Sequence, residues 1–179
     1  YWRSKKQVAL KGISMIAENL EKAYENGEDR EARRNMMIAS TIGGMAFISS
    51  NVGAVHAFAE TVGAWFDTPH GVANSLFLPY IMEFNIPACP ERFADIADAM
   101  GIEREESMSD EQYALKAVEY VKALNRKLNI PTIKEIKGIT EERFEAIAER
   151  SANNVLSNDN ARKITKEDYL ELLKKAYNE

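Results

Sequence analysis

The chain has 179 residues and only two histidines, His56 and His70, which fall in one short stretch. Imidazole is the commonest transition-metal ligand in proteins, and it can ligate as a neutral side chain at pH 7. Two imidazoles on neighbouring elements make half of a metal site. The stretch reads Gly53-Ala54-Val55-His56-Ala57-Phe58-Ala59-Glu60, continues to Asp67-Thr68-Pro69 and reaches His70-Gly71. On a helix, His56 and Glu60 share a face, because four residues make roughly one turn. Glu60 and Asp67 are the only acids between Asn35 and Glu83. A charge in so apolar a region needs an ion partner, a hydrogen bond or a metal. Two histidines with a nearby carboxylate suit Fe(II) or Zn(II). Spacing alone leaves a second reading open, in which each histidine is a hydrogen-bonded residue of a helical core.

The elements that must place these rings are helical. Ser4 is predicted to cap a first helix to about Tyr24, with Val8, Ile13, Ile16, Ala17 and Leu20 on one face. A second helix is predicted from near Asp29 to about Ser49, charged in its first half and apolar in its second. Gly43-Gly44 inside it predicts close backbone approach to a neighbour. Ser49-Ser50-Asn51 marks a break, and a short apolar helix from Gly53 to about Trp65 carries His56. After the Asp67-Thr68-Pro69 turn, a helix from Gly71 to Phe84 contains Pro79, which predicts a kink or an early end. Further helices are predicted from Glu91 to Met100, from Ser109 (with Gln112, a capping box) to about Leu128, from Thr140, and from Thr165 with Asp168 to near Tyr177. No strand-like alternation is present. The expected fold is all-α, a single helical domain over residues 1–179.

Composition narrows the function. The hydrophobic fraction is 45% and the charged fraction 28%, an ordinary globular balance. A net charge of −5 argues against nucleic acid as a partner, since phosphate binding needs a basic face. The one cysteine, Cys89, has no obvious base beside it and reads as a plain thiol. Residues 35–59 lack Asp, Glu, Lys and Arg and could span a bilayer by length. Ser40, Thr41, Ser49, Ser50, Asn51 and His56 make that costly in lipid, so no membrane partner is expected. The opening Tyr1-Trp2-Arg3-Ser4-Lys5-Lys6 has no apolar leader, and a cytoplasmic location is expected. With no initiator methionine, the chain reads as a piece of something longer.

The wording around the histidines adds to this. His56-Ala57-Phe58-Ala59, Gly63, Asp67-Thr68-Pro69-His70-Gly71-Val72-Ala73-Asn74 and Leu78-Pro79-Tyr80-Ile81-Met82-Glu83-Phe84-Asn85 closely resemble the iron-containing (group III) alcohol dehydrogenases. The resemblance extends upstream to Asp29-Arg30-Glu31-Ala32-Arg33 and Gly44-Met45-Ala46-Phe47, and more weakly downstream to Asn160-Ala161-Arg162. It implies the C-terminal helical domain of the dehydroquinate synthase-like type, without its N-terminal α/β nucleotide domain. In that family a divalent metal is held by an Asp and a His on one helix and by two further His. His56 and His70 match the last two; the first two would precede Tyr1. Fe2+ is the metal the resemblance implies first, and Zn2+ the alternative.

NAD or NADP would be bound mainly by the missing domain, and no cofactor-binding residue is expected in this piece. The implied reaction oxidises primary alcohols or reduces aldehydes by hydride transfer, with the metal as Lewis acid, and the fragment alone is expected to be inactive. A small alcohol or aldehyde, the missing domain and further copies of the chain are the implied partners. Glu60 stands where the family usually has another His. It is a candidate catalytic proton acceptor or extra carboxylate ligand, against a plain surface carboxylate. Phe47 and Leu156 are implied to line the substrate pocket, against ordinary packing roles. A helical module that lost its metal and binds a partner, and a glycerol dehydrogenase-type enzyme, are the competing readings. The surface that met the missing domain is expected to be unusually apolar.

Overall fold

The computed structural model describes residues 2–48 and 51–179, with side chains from Lys6 onward. Eight α-helices are found among the described residues: α1 (Trp2–Glu25), α2 (Arg30–Phe47), α3 (Ala54–Phe66), α4 (His70–Asn85), α5 (Pro90–Ala99), α6 (Asp110–Lys127), α7 (Phe144–Ala152) and α8 (Lys166–Asn178). Short 3-10 turns at Ile86–Ala88, Ile133–Glu135, Glu141–Arg143 and Val155–Asp159 join them. No strand occurs among the described residues, so the fold is all-α. None of the described helices is long and apolar enough to cross a membrane.

Helix starts follow local capping chemistry. Asp29 caps α2 by accepting from the Ala32 N–H at 2.9 Å. Ser109 and Gln112 form the reciprocal pair expected before α6, at 3.0 and 3.2 Å. Thr165 and Asp168 do the same before α8. Ser4 is not a cap, because α1 already begins at Trp2. The break expected at Ser49-Ser50 lies outside the described residues, except for Asn51, which adopts a positive φ of 56°.

The chain divides into two compact units. One comprises residues 1–51 and 89–117. In it α1 packs on α2, and the close approach is at Gly12, where an added Cβ would come within 3.1 Å of Ile42 Cγ2. Gly43 and Gly44, expected to serve that purpose, would meet no described atom within 4 Å. Buried Asn19 bonds the Met15 carbonyl and accepts from Asn35, linking the two helices at 3.0 Å. Met37 and Met45 of α2 and its C-cap Ile48 are exposed, at 73%, 63% and 77%.

The second unit comprises residues 52–88 and 118–179, and it carries both histidines. Its core is aromatic. Phe58 of α3 stacks on Phe77 of α4 with centroids 4.2 Å apart, and Tyr169 of α8 meets Phe58 edge-on at 4.7 Å. All three rings are fully buried. Such pairs stabilise beyond area burial by about 1 kcal/mol each. Ala57, Val62, Ala73, Ile147 and Leu173 fill the spaces around them.

Pro79 neither ends α4 early nor stops its last turn, which reaches Asn85. A proline here leaves the carbonyl of Ser75 without its helical donor. The Asn125 amide of α6 fills that gap, donating to Ser75 O at 2.6 Å. Asn125→Leu is expected to strand this carbonyl and lower stability by about 1 kcal/mol. Urea denaturation at constant m-value checks it; an unchanged midpoint would show that water replaces the amide at no cost.

Candidate metal centre

Three devices fix the helices that carry His56 and His70. The first is an amide clamp. Asn160 and Asn85 exchange side-chain hydrogen bonds at 2.7 and 3.0 Å, and Asn160 Oδ1 also accepts from the Ala54 N–H at the head of α3. The backbone must come close for this: a Cβ on Gly53 would lie 3.0 Å from Asn160 Oδ1. Arg162 donates to the Phe84 carbonyl at 3.1 Å and lies over the Phe84 ring at 4.1 Å. The segment 160–162 thus ties the start of α3 to the end of α4.

The second device is a run of buried hydroxyls. Ser157 Oγ donates to Ser151 O at 2.8 Å, so its partner at 2.7 Å, Tyr169 OH, is the donor between them. Ser151 Oγ reaches Thr61 Oγ1 at 3.2 Å, and Thr61 bonds back to Ala57 O at 2.9 Å. The third is the tight turn between the helices. Asp67 closes α3 in the left-handed conformation at φ 51°, which Asp tolerates better than most residues, and α4 starts three residues later at His70 itself.

The two imidazoles meet as a result. Their centroids are 5.3 Å apart and the ring planes are inclined at 52°. Metal–nitrogen bonds of about 2.1 Å at a tetrahedral angle would put two such centroids roughly 5.2 Å apart. Burial, then the neighbouring His70, holds the His56 imidazole below its ordinary range, while Glu60 pulls the other way. His56 is therefore a neutral imidazole at pH 7, the form that ligates. Among the described residues, His56 Nδ1 and Asn74 Oδ1 are the buried side-chain polar atoms without a hydrogen-bond partner. Both belong to this spot. Orphaned buried polar atoms cost stability, and their clustering here fits a site built for a group from outside the chain. The donor set and spacing therefore fit a divalent transition metal.

The other expected residues are placed as follows. Glu60 is exposed, one turn beyond His56, and its carboxylate accepts from Asn154 Nδ2 at 2.8 Å. No group of three or more His, Cys, Asp or Glu able to hold a metal occurs among the described residues. Leu156 is half-buried against the core, and its N–H donates to Asn154 Oδ1 at 3.0 Å, so one asparagine joins it to Glu60. Phe47 ends α2 in the other unit, with 52% of its surface exposed. Asn74 and Asn154 were not singled out in the sequence. Asn74 was findable, since it follows His70 by four residues on a helix.

The sequence pattern described as "Fe-containing alcohol dehydrogenase family, C-terminal" matches residues 4–177. The chain belongs to the iron-containing alcohol dehydrogenase family. It is 38% identical to alcohol dehydrogenase 4 of Saccharomyces cerevisiae over 172 residues, covering 94% of this chain and 43% of that protein. Against the 1,3-propanediol dehydrogenase of Citrobacter freundii the identity is 37% over 169 residues, with the same coverages. The crystal structure of a 1,3-propanediol oxidoreductase superposes with a TM-score of 0.91 at 35% identity, over 97% of this chain and 45% of that one. The chain spans less than half the length of the curated relatives it matches, and it matches their C-terminal helical part.

The hydroxyl run has a pH signature. Burial pushes the Tyr169 phenol up to about 12. An unfolded tyrosine ionises near pH 10. The stabilisation from keeping Tyr169 protonated is therefore complete below about pH 10 and is lost as pH rises toward 12. Tyr169→Phe is expected to be less stable than wild type at pH 8 but to lose less stability between pH 9.5 and 11.5. Parallel stability profiles across that range would contradict the buried phenol.

Proposed function

We propose that the full-length protein is an NAD(P)-dependent alcohol dehydrogenase that oxidises small primary alcohols or reduces the matching aldehydes. In this reading the present chain contributes His56 and His70 as two of the metal's ligands. One observation carries it: two imidazoles 5.3 Å apart, with an orphaned buried atom on His56 and another on the adjacent Asn74. The names of the relatives, alcohol dehydrogenase and 1,3-propanediol dehydrogenase, support the substrate class. The part preceding Tyr1 would supply the remaining ligands and hold the nicotinamide.

A divalent ion held there, Fe2+ by family and Zn2+ by ligand chemistry, would supply Lewis acidity to the oxygen of the alcohol or aldehyde. The chain's own residues do the rest. His56, on a helix pinned at its start by Asn160 and packed through Phe58, keeps its imidazole neutral by burial. His70, at the first turn of α4, turns its ring toward His56. Glu60, one turn on and tied to Asn154, would take the proton released from an alcohol. Leu156, held by the same asparagine, is a substrate-pocket candidate.

Metal analysis and alcohol oxidation by the full-length protein test this together. His56→Ala and His70→Ala are each expected to lose metal and turnover by roughly tenfold or more. Full metal content and full turnover in His70→Ala would remove that ligand. The isolated 179-residue chain is expected to show no aldehyde-dependent NADH oxidation. A rate close to that of the full-length protein would show that the reaction needs nothing outside this piece.

A further inference from the structure

We propose that Asn26 is a self-modification site, at which the folded chain converts the asparagine to aspartate and isoaspartate through a succinimide. Asn26-Gly27 is the one Asn-Gly pair in the sequence. It lies in the turn between α1, which ends at Glu25, and α2, which starts at Arg30. Both residues of the pair are exposed. The turn itself is held on each side: the Asn26 N–H donates to the Lys22 carbonyl and the Asp29 N–H to the Asn26 carbonyl, each at 3.0 Å.

The reaction needs a backbone nitrogen that can close on a side-chain carbonyl carbon. Gly27 N is that nitrogen and Asn26 Cγ that carbon. A following residue without a Cβ leaves the approach open. The Gly27 N–H makes no hydrogen bond among the described residues, so none has to break first. The Glu28 N–H donates to Asn26 Oδ1 at 3.0 Å. That bond polarises the side-chain carbonyl and faces the oxygen on which negative charge develops during attack. Hydroxide removes the Gly27 amide proton, the new carbon–nitrogen bond forms, and Nδ2 leaves as ammonia. Water then opens the ring at either carbonyl, giving aspartate or isoaspartate. One water is consumed and one ammonia released, with no change of oxidation state. Either product places a negative charge at the C-terminal end of α1, beside Glu25 and Glu28, where the helix dipole disfavours it. Isoaspartate also inserts a methylene into the backbone joining α1 to α2. Those helices are registered by the Asn19–Asn35 bond and the approach of Gly12 to Ile42, so the insertion loosens their packing.

The test ages the full-length protein at mildly alkaline pH, below its unfolding temperature. Trypsin then releases residues 23–30, bounded by Lys22 and Arg30, and mass and retention of that peptide are followed. Asn26 should convert ahead of the other asparagines. Gly27→Ala fits the turn, since the added Cβ would meet nothing within 4 Å. It should slow conversion about tenfold or more by obstructing the attacking nitrogen. An intact Asn26 after exposed Asn158 has converted, or equal rates in wild type and Gly27→Ala, would overturn the site. The purified isoaspartate form should unfold at lower urea than unmodified protein, with Asn26→Asp, which carries the charge without the methylene, in between. Equal midpoints for isoaspartate and unmodified protein would overturn the loosening of α1 from α2.

Discussion

The arrangement depends on the stack of Phe58 against Phe77. These rings lock α3 to α4 at a centroid distance of 4.2 Å, and each histidine rides on one of the two helices. His56 lies two residues from Phe58 and so faces away from it, while His70 precedes Phe77 by two helical turns. Tyr169, edge-on to Phe58, keeps the pair from sliding. Packed cores do not deform continuously, so a stack of this kind fixes the distance between whatever the two helices carry on their outer turns. The imidazole separation is thus a property of the core more than of the histidines themselves. Two imidazoles this close are tolerable only when at least one is neutral, and burial of His56 secures that.

Polar contacts then set the angle and register that aromatic packing leaves loose. The Asn85–Asn160 pair and the Ser157–Tyr169 bond are neutral, buried or half-buried, and short. Each contributes only about 1 kcal/mol net, but each is costly to break because its groups have no water to turn to. Such bonds discriminate between nearby packings more than they deepen any one of them. The hydroxyl run joins Tyr169 of α8 and Ser151 of α7 to Thr61 of α3, so it resists rotation of α3 about its axis. Against this background the unpartnered atoms of His56 and Asn74 stand out. A unit that satisfies Asn85, Ser151, Ser157 and Asn160 leaves its exceptions in one place.

What could be read from the sequence was local or carried by the family resemblance. Asp29, Ser109 with Gln112, and Thr165 with Asp168 announce helix starts because cap and partner lie within three residues. The helical class followed from periodicity, and family membership from the wording around His56 and His70. What escaped was non-local. Pro79 predicts a broken helix unless one knows that Asn125, 50 residues downstream of Ser75, supplies the missing donor. The Asn160-Ala161-Arg162 wording looked like a loop, and its clamp on Asn85 and Ala54 spans separations of 75 and 106 residues. Glu60 read as a charge in search of a partner; the partner, Asn154, lies 94 residues on. Two glycines inside α2 suggested a tight contact that Gly12 makes instead.

Two imidazoles make a weak site by themselves, and the geometry explains why a fold would nonetheless hold them so firmly. Each ligand that must be gathered from solvent-exposed freedom subtracts side-chain entropy from the binding free energy. On the proposed reading, a unit that delivers His56 and His70 already oriented would remove that cost for two of the ligands. A cation would then need to organise only the donors brought by the rest of the protein. Glu60 is tied to Asn154, and in the proposed reading it would serve proton transfer and not the ion. A catalytic metal site requires an open position, which a closed structural site lacks, and two imidazoles from one unit would leave room for it.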